Sequence, residues 1–231
     1  MNLIEINNLS KTYPGTKALK EIDLTLESGH IIGLLGPNGS GKTTLMKILT
    51  GIIRDHEGQV LIQGQPVNEK TKALVSYLPD CSYFSSWMRP VDIMEMFQDF
   101  YQDFSREKFR SMLQSLGLNE KQRIRTMSKG MVEKLQLCLV MSRDAHLYVL
   151  DEPIGGVDPA ARDYILDTIL SNYNENSTIL MSTHLIADVE KLFDTVIFLK
   201  EGSVVLHGEI DDIRAREGKS IDELFREVFR C

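Results

Sequence analysis

The sequence predicts an α/β protein built on a mostly parallel sheet. Short apolar runs of strand length recur along the chain at Ile31–Leu35, Val75–Leu78, Leu147–Leu150, Thr178–Met181 and Val196–Leu199. Helical spacing separates several of them, and alternation of this kind calls for parallel strands joined by crossover helices. A glycine-rich segment follows the first run and opens a helix, as at the carboxyl edge of an open α/β sheet.

Leu3–Ile6 and Ile22–Leu26 alternate apolar and polar residues and are expected to be strands, with Lys11-Thr12-Tyr13-Pro14-Gly15 as the turn between them. His30–Leu35 is a buried strand, Thr43–Leu49 a helix, and Val60–Ile62 and Val75–Leu78 further strands. From about residue 85 to 143 the texture changes. Methionines and aromatics recur at helical spacing (Met94, Phe97 and Tyr101, then Phe109, Met112 and Leu116), marking a helical insertion. The strands Leu147–Leu150, Thr178–Met181 and Val196–Leu199 follow, with a helix between the first two. Ile221–Phe229 is expected to form a short amphipathic helix.

Bulk properties narrow the function classes. The 231 residues are 42% hydrophobic and 26% charged, enough apolar material for one sizeable core, and no Pro/Gly/Ser-rich linker divides them. No apolar run approaches the roughly 20 residues needed to cross a bilayer, and the N-terminal residues lack a secretory layout. Cys81, Cys138 and Cys231 fit neither a disulfide framework nor a zinc site, so a reduced cytoplasmic setting is expected. A net charge of −7 argues against a broad electrostatic grip on nucleic acid, and none is expected as a partner.

Gly36-Pro37-Asn38-Gly39-Ser40-Gly41-Lys42-Thr43 matches G-x-x-x-x-G-K-[ST] in full, between a strand and a helix. Glycines let such a backbone curl into a nest of N–H donors around anionic oxygens, and the helix N-terminus adds partial positive charge. Lys42 can reach the β- and γ-phosphates of a nucleoside triphosphate, and the Thr43 hydroxyl can ligate Mg²⁺; Thr44 completes the nucleotide-binding set. His146–Leu150 then carries Asp151 and Glu152 to the sheet edge. Asp151 is placed to hold Mg²⁺, and Glu152 to orient or deprotonate the attacking water.

With these motifs in place the whole chain resembles the nucleotide-binding subunits of ABC transporters. The resemblance implies a P-loop NTPase (RecA-like) core with an N-terminal antiparallel β subdomain and a helical subdomain inserted at about 85–143, within one domain spanning 1–231. It places Tyr13 where an aromatic ring stacks on adenine. Met127-Ser128-Lys129-Gly130-Met131 falls where the family has L-S-G-G-Q, so Ser128 and Gly130 match residues that contact the γ-phosphate held by the opposite subunit, while Lys129 and Met131 depart from the pattern. Gly155-Gly156-Val157-Asp158 resembles the D-loop, with Asp158 reaching across the dimer, and His184 matches the histidine that senses the γ-phosphate. Asp80 stands where the family has a metal-contacting glutamine; a carboxylate is also a good Mg²⁺ ligand but is shorter, charged and unable to donate a hydrogen bond.

The resemblance implies catalytic roles for Lys42, Glu152 and His184, and ATP with Mg²⁺ held by Thr43, Asp80 and Asp151. A second ATPase subunit, identical or not, and a membrane-spanning permease are the implied partners, so the chain is expected on the cytoplasmic face of the cell membrane. The aromatic stretch Cys81–Met88 either meets that permease or fills the insertion's own core. M-S-K-G-M and Asp80 look similar to ATPases of bacterial ABC-2-type exporters, some linked to peptide antibiotics. A soluble ATPase of the iron–sulfur-assembly type is the alternative; a GTPase is disfavoured because no N-K-x-D motif is present.

Overall fold

A computed structural model describes residues 2–155, 157, 159–174 and 176–229, the side chains of Pro159, Ala160 and Ala161 excepted. β1 (Asn2–Tyr13) and β2 (Thr16–Glu27) form a long antiparallel hairpin. Lys11–Tyr13, expected as part of a turn, instead extends β1. Thr12 pairs with Lys17 and Tyr13 with Thr16, so Pro14 and Gly15 suffice for the reversal, with Gly15 at φ 83°. β3 (Ile31–Leu35) and α1 (Lys42–Leu49) follow, then β4 (Glu57–Ile62), β5 (Gln65–Pro66), α2 (Glu69–Ala73) and β6 (Val75–Leu78).

Between β6 and the next strand lie α3 (Pro90–Phe100), α4 (Arg106–Ser115) and α5 (Lys129–Met141). The chain continues through β7 (Leu147–Asp151), α6 (Pro159–Asn172), β8 (Thr178–Thr183), α7 (Ile186–Val189), β9 (Thr195–Lys200), β10 (Ser203–Glu209), α8 (Ile210–Glu217) and α9 (Ile221–Val228).

Two sheets result. β2-β1-β4-β5 is antiparallel; β10-β9-β3-β8-β7-β6 is parallel except for β10 at its edge. The parallel strands are apolar on both faces, as burial on both sides requires. Their side chains alternate between two cores. Ile32, Leu34, Leu147, Val149, Leu180, Ile197 and Leu199 pack with α1 and the antiparallel sheet. Leu35, Tyr148, Leu150, Ile179, Met181, Val196 and Phe198 pack against the helices on the other face. Each such side chain contributes about 1.5–3 kcal/mol on burial.

Register decides what this arrangement is for. Leu78 pairs with Leu150, Asp151 with Ser182, and Leu35 with Thr183. Because these strands are parallel, all end at one edge, which therefore carries Gly36, Asp80, Asp151, Glu152 and His184.

Candidate functional site

The loop from Gly36 to Gly41 is built for close backbone approach. A Cβ on Gly36 would come within 2.4 Å of the Leu199 carbonyl oxygen. Gly41, at φ 109°, caps α1, and a Cβ there would meet the Ala18 carbonyl oxygen at 2.6 Å. The loop thus wraps the amino end of α1, whose first-turn N–H groups have no partner within the helix. The Lys42 ammonium is drawn back under the loop, donating to the carbonyls of Gly36 (2.7 Å) and Pro37 (3.2 Å). Burial lowers its pKa, opposed by the charges of Glu152 and Asp151.

Asp151 ends β7 and is buried. Its Oδ1 accepts the Ser182 hydroxyl at 2.6 Å; its Oδ2 is buried with no hydrogen-bond partner in the structure. Ser182 also accepts the Glu152 N–H at 2.9 Å, so one hydroxyl on β8 aligns both acidic residues. Glu152 adopts φ 51°, a left-handed conformation costly for a residue with a side chain. That turn sends its carboxylate back over the sheet edge, where Oε2 meets His184 Nδ1 at 2.9 Å. Glu152 is partly buried and His184 half exposed.

A cavity of about 470 Å³ joins these parts, lined by Asn38, Gly39, Gly41, Lys42, Thr43, Thr44, Asp80, Asp151 and Glu152. Thr16, Lys17, Ala18, Lys20 and Glu201 also line it and were not singled out in the sequence. They come from β2 and the β9–β10 turn, and no motif marks them. Ser182 was missed for the same reason: in sequence it is an ordinary strand serine. The Ser40 hydroxyl, beneath the loop, is likewise buried without a partner.

Three expected contributors stand apart. Tyr13, 39% exposed at the end of β1, is not among the lining residues, and the Lys11 ammonium lies 5.1 Å from its ring centroid. Ser128 caps α5, accepting the Met131 N–H at 3.2 Å, and both Ser128 and Gly130 are exposed and outside the cavity lining. Asp158 lies outside the described residues.

Asp151 Oδ2 is the observation that tests for a metal. A buried, unpartnered carboxylate oxygen on a residue that lines the same cavity as Thr43 suits Mg²⁺, which takes one or two protein oxygens and completes its shell with water and phosphate. Among the described residues no group of three His, Cys, Asp or Glu side chains is placed to hold a metal ion. The donor set, a phosphate nest with one lysine, fits a nucleoside triphosphate.

Fold and site together define a P-loop nucleotide-binding domain. The family model for ABC transporters matches residues 19–155, and the chain belongs to that family. It is 32% identical over 227 residues to an uncharacterized ABC transporter ATP-binding protein of Synechocystis, covering 92% of this chain but only 64% of that relative. It is 28% identical to the lantibiotic transport ATP-binding protein SrtF of Streptococcus pyogenes, across 96% of both chains. A solved ATP-binding subunit of an ABC transporter superposes with a TM-score of 0.87 at 26% identity, over 99% of this chain and 100% of that one.

Proposed function

We propose that the chain binds ATP with Mg²⁺ and hydrolyses it, as the engine of an ABC transporter whose membrane-spanning part is a separate protein. The observation that carries this is the cavity shared by the phosphate loop, Asp151 with its unpartnered oxygen, and Glu152, whose carboxylate His184 meets from outside the lining.

ATP enters as substrate, its phosphates taken by the N–H groups of residues 38–44. Lys42 exchanges its loop carbonyls for phosphate oxygens. Thr43 and Asp151, with Asp80 on the same cavity wall, would hold Mg²⁺. The ion would neutralise charge on the phosphate oxygens. Glu152 accepts a proton from the attacking water, and His184 holds the Glu152 carboxylate in place. Ser128 and Gly130 are exposed and do not line their own chain's cavity, so they serve the site of a second copy or a related subunit. Tyr13 stacks on the adenine after its ring is freed from Lys11.

The chain acts as one domain, with residues 85–143 as its helical subdomain. Among the described residues no helix is long and apolar enough to cross a membrane, which suits a subunit peripheral to the cytoplasmic face. A second cavity, of about 560 Å³, lies between α1, β6 and α3 and is edged by Ile52, Tyr83, Met96 and Phe100. Phe100 is 76% exposed and Ile52 57%. This groove receives a short helix from the membrane partner. Of the aromatic stretch Cys81–Met88, Phe84 packs on the chain's own core while Trp87 points outward.

The test is capture of partners by Glu152→Gln with ATP from native membranes. A polytopic membrane protein supports the proposal. Soluble partners alone, with the tagged protein confirmed present in well-solubilised membranes, would replace it with a soluble ATPase of the iron–sulfur-assembly type.

A further inference from the structure

The turn between β9 and β10 is part of the wall around the phosphate loop. The Gly202 N–H donates to the Ser40 carbonyl at 3.0 Å, and the Gly202 carbonyl accepts the Lys20 N–H at 2.8 Å. The Leu199 carbonyl is the atom pressed against Gly36, and Glu201 lines the cavity. Glu201 at φ 48° and Gly202 at φ 84° make a two-residue reversal between the paired Lys200 and Ser203. The first position of such a turn favours asparagine, aspartate or glycine. A left-handed glutamate persists there only where its surroundings over-determine it.

Part of that determination comes from α9. The Lys200 ammonium donates to the Val228 carbonyl at 2.9 Å and stands 5.8 Å from the Phe229 ring centroid. A cation at the carboxyl end of a helix satisfies a carbonyl the helix leaves open and meets the negative end of its dipole. Phe198, two residues earlier on the same face of β9, is fully buried, with its ring centroid 5.6 Å from that of Phe225 and 5.8 Å from that of Phe229. α9 is in turn held at its amino end. Ser220 and Glu223 cap it reciprocally, the Glu190 carboxylate accepts the Asp222 N–H at 3.1 Å, and Ile221 and Leu224 are buried.

The turn is therefore gripped from two directions, by backbone bonds to the phosphate loop and β2 and by a side chain on α9. We propose that Lys200 is a positioning residue, which clamps the β9–β10 turn to α9 and so keeps Leu199, Glu201 and Gly202 where they shape the nucleotide cavity. No residue of α9 lines that cavity, so α9 acts on it through the turn. The consequence for ATP affinity rests on the ATPase reading above; the clamp itself does not.

Lys200→Met keeps the apolar stem and removes the charged donor, and Lys200→Arg restores a charged donor. Amide exchange is measured on the nucleotide-free full chain, and ATP binding with Mg²⁺ by calorimetry on the same variants with the wild type alongside. In Lys200→Met, exchange is expected to rise about tenfold at Lys20, whose N–H bonds the turn from β2, with Val75–Leu78 unchanged. ATP affinity is expected to fall about fivefold, and to return to within about twofold of the wild type in Lys200→Arg. Exchange raised equally at Val75–Leu78 would mark a loss of overall stability alone and would overturn the proposal. Unaltered exchange at Lys20, unaltered affinity, or an arginine variant as weak as the methionine one would overturn it too. A wild-type chain that binds no ATP would instead overturn the ATPase reading, and exchange at Lys20 would still decide the clamp. Should Lys200→Met fail to fold, Phe229→Leu removes the ring beside the ammonium at a half-buried position. It is expected to raise exchange at Lys20 by about threefold, and no rise there would overturn the clamp.

Discussion

The phosphate loop and the amino end of α5 are both helix starts in one chain, and they are held in opposite ways. At the loop, Gly36 is pressed against the Leu199 carbonyl and Gly41 against the Ala18 carbonyl, while Gly39 at the tip is open. At α5 a single serine cap holds an exposed turn, and a Cβ on Gly130 would meet nothing within 4 Å. The first is a finished binding surface. The second is finished as a helix but faces nothing, as suits a surface that acts on another molecule. Preorganisation is thus concentrated where one chain must bind alone.

That contrast can be broken most severely at Glu152. Glu152→Gln should retain ATP affinity and lose about 10²–10⁴-fold in kcat, measured by single-turnover hydrolysis beside a binding titration. Turnover within threefold of wild type would remove Glu152 from the chemistry. Next comes Gly36→Ala. Its Cβ must displace both the Leu199 carbonyl and the Ser40 side chain, so ATP affinity should fall at least about tenfold in calorimetry.

Gly130→Ala sharpens the comparison because it separates helix from function. Replacing an unhindered helical glycine should stabilise the fold by about 0.5–1 kcal/mol in denaturant titrations. If Gly130 meets phosphate across a dimer, hydrolysis should nevertheless fall, and equal or faster turnover would show that the exposed turn has no such role.

Tyr148, in the strand that delivers Asp151, donates to the Arg143 carbonyl at 2.6 Å and accepts from Ala145 N–H at 3.3 Å. Tyr148→Phe should cost about 1–3 kcal/mol at neutral pH. Burial, the larger cause, raises the phenol pKa to about 12 from 10.0. An unfolded chain therefore ionises first, and the stability this group contributes, complete below pH 10.0, is lost as pH rises toward 12. The wild type should accordingly lose more stability across that window than Tyr148→Phe. The smallest effect concerns thiols. Cys81 is exposed, whereas Cys138 is buried and its pKa is pushed up to about 12, so mass spectrometry after brief alkylation at pH 8 should find Cys81 modified and Cys138 intact.

The parts visible in sequence share a cause. Gly36–Thr43 and Asp151–Glu152 are contiguous, and each residue type is demanded by backbone geometry or by phosphate and metal chemistry. The strands were legible because burial on both faces makes them mostly apolar, with the few polar residues, such as Ser76 and Tyr148, hydrogen-bonded inside. The β1–β2 hairpin was legible only toward its open end, where Leu3–Ile6 and Ile22–Leu26 alternate. Its far end carries Lys11, Thr12, Lys17 and Lys20, and the polar run resembled a turn until strand pairing was known.

Composition and local spacing by themselves determined the fold class, the phosphate loop and the acidic pair at the sheet edge, because those depend on neighbours in the chain. Tertiary structure decided everything that depends on register and distance. It sets Ser182 between Asp151 and Glu152, brings His184 onto Glu152, and adds Thr16, Lys17 and Glu201 to the cavity. It also seats Lys200 on the carboxyl end of α9. No spacing rule encodes such meetings, because they bring together residues far apart in the chain through strand pairing and the alternation of side chains across a sheet.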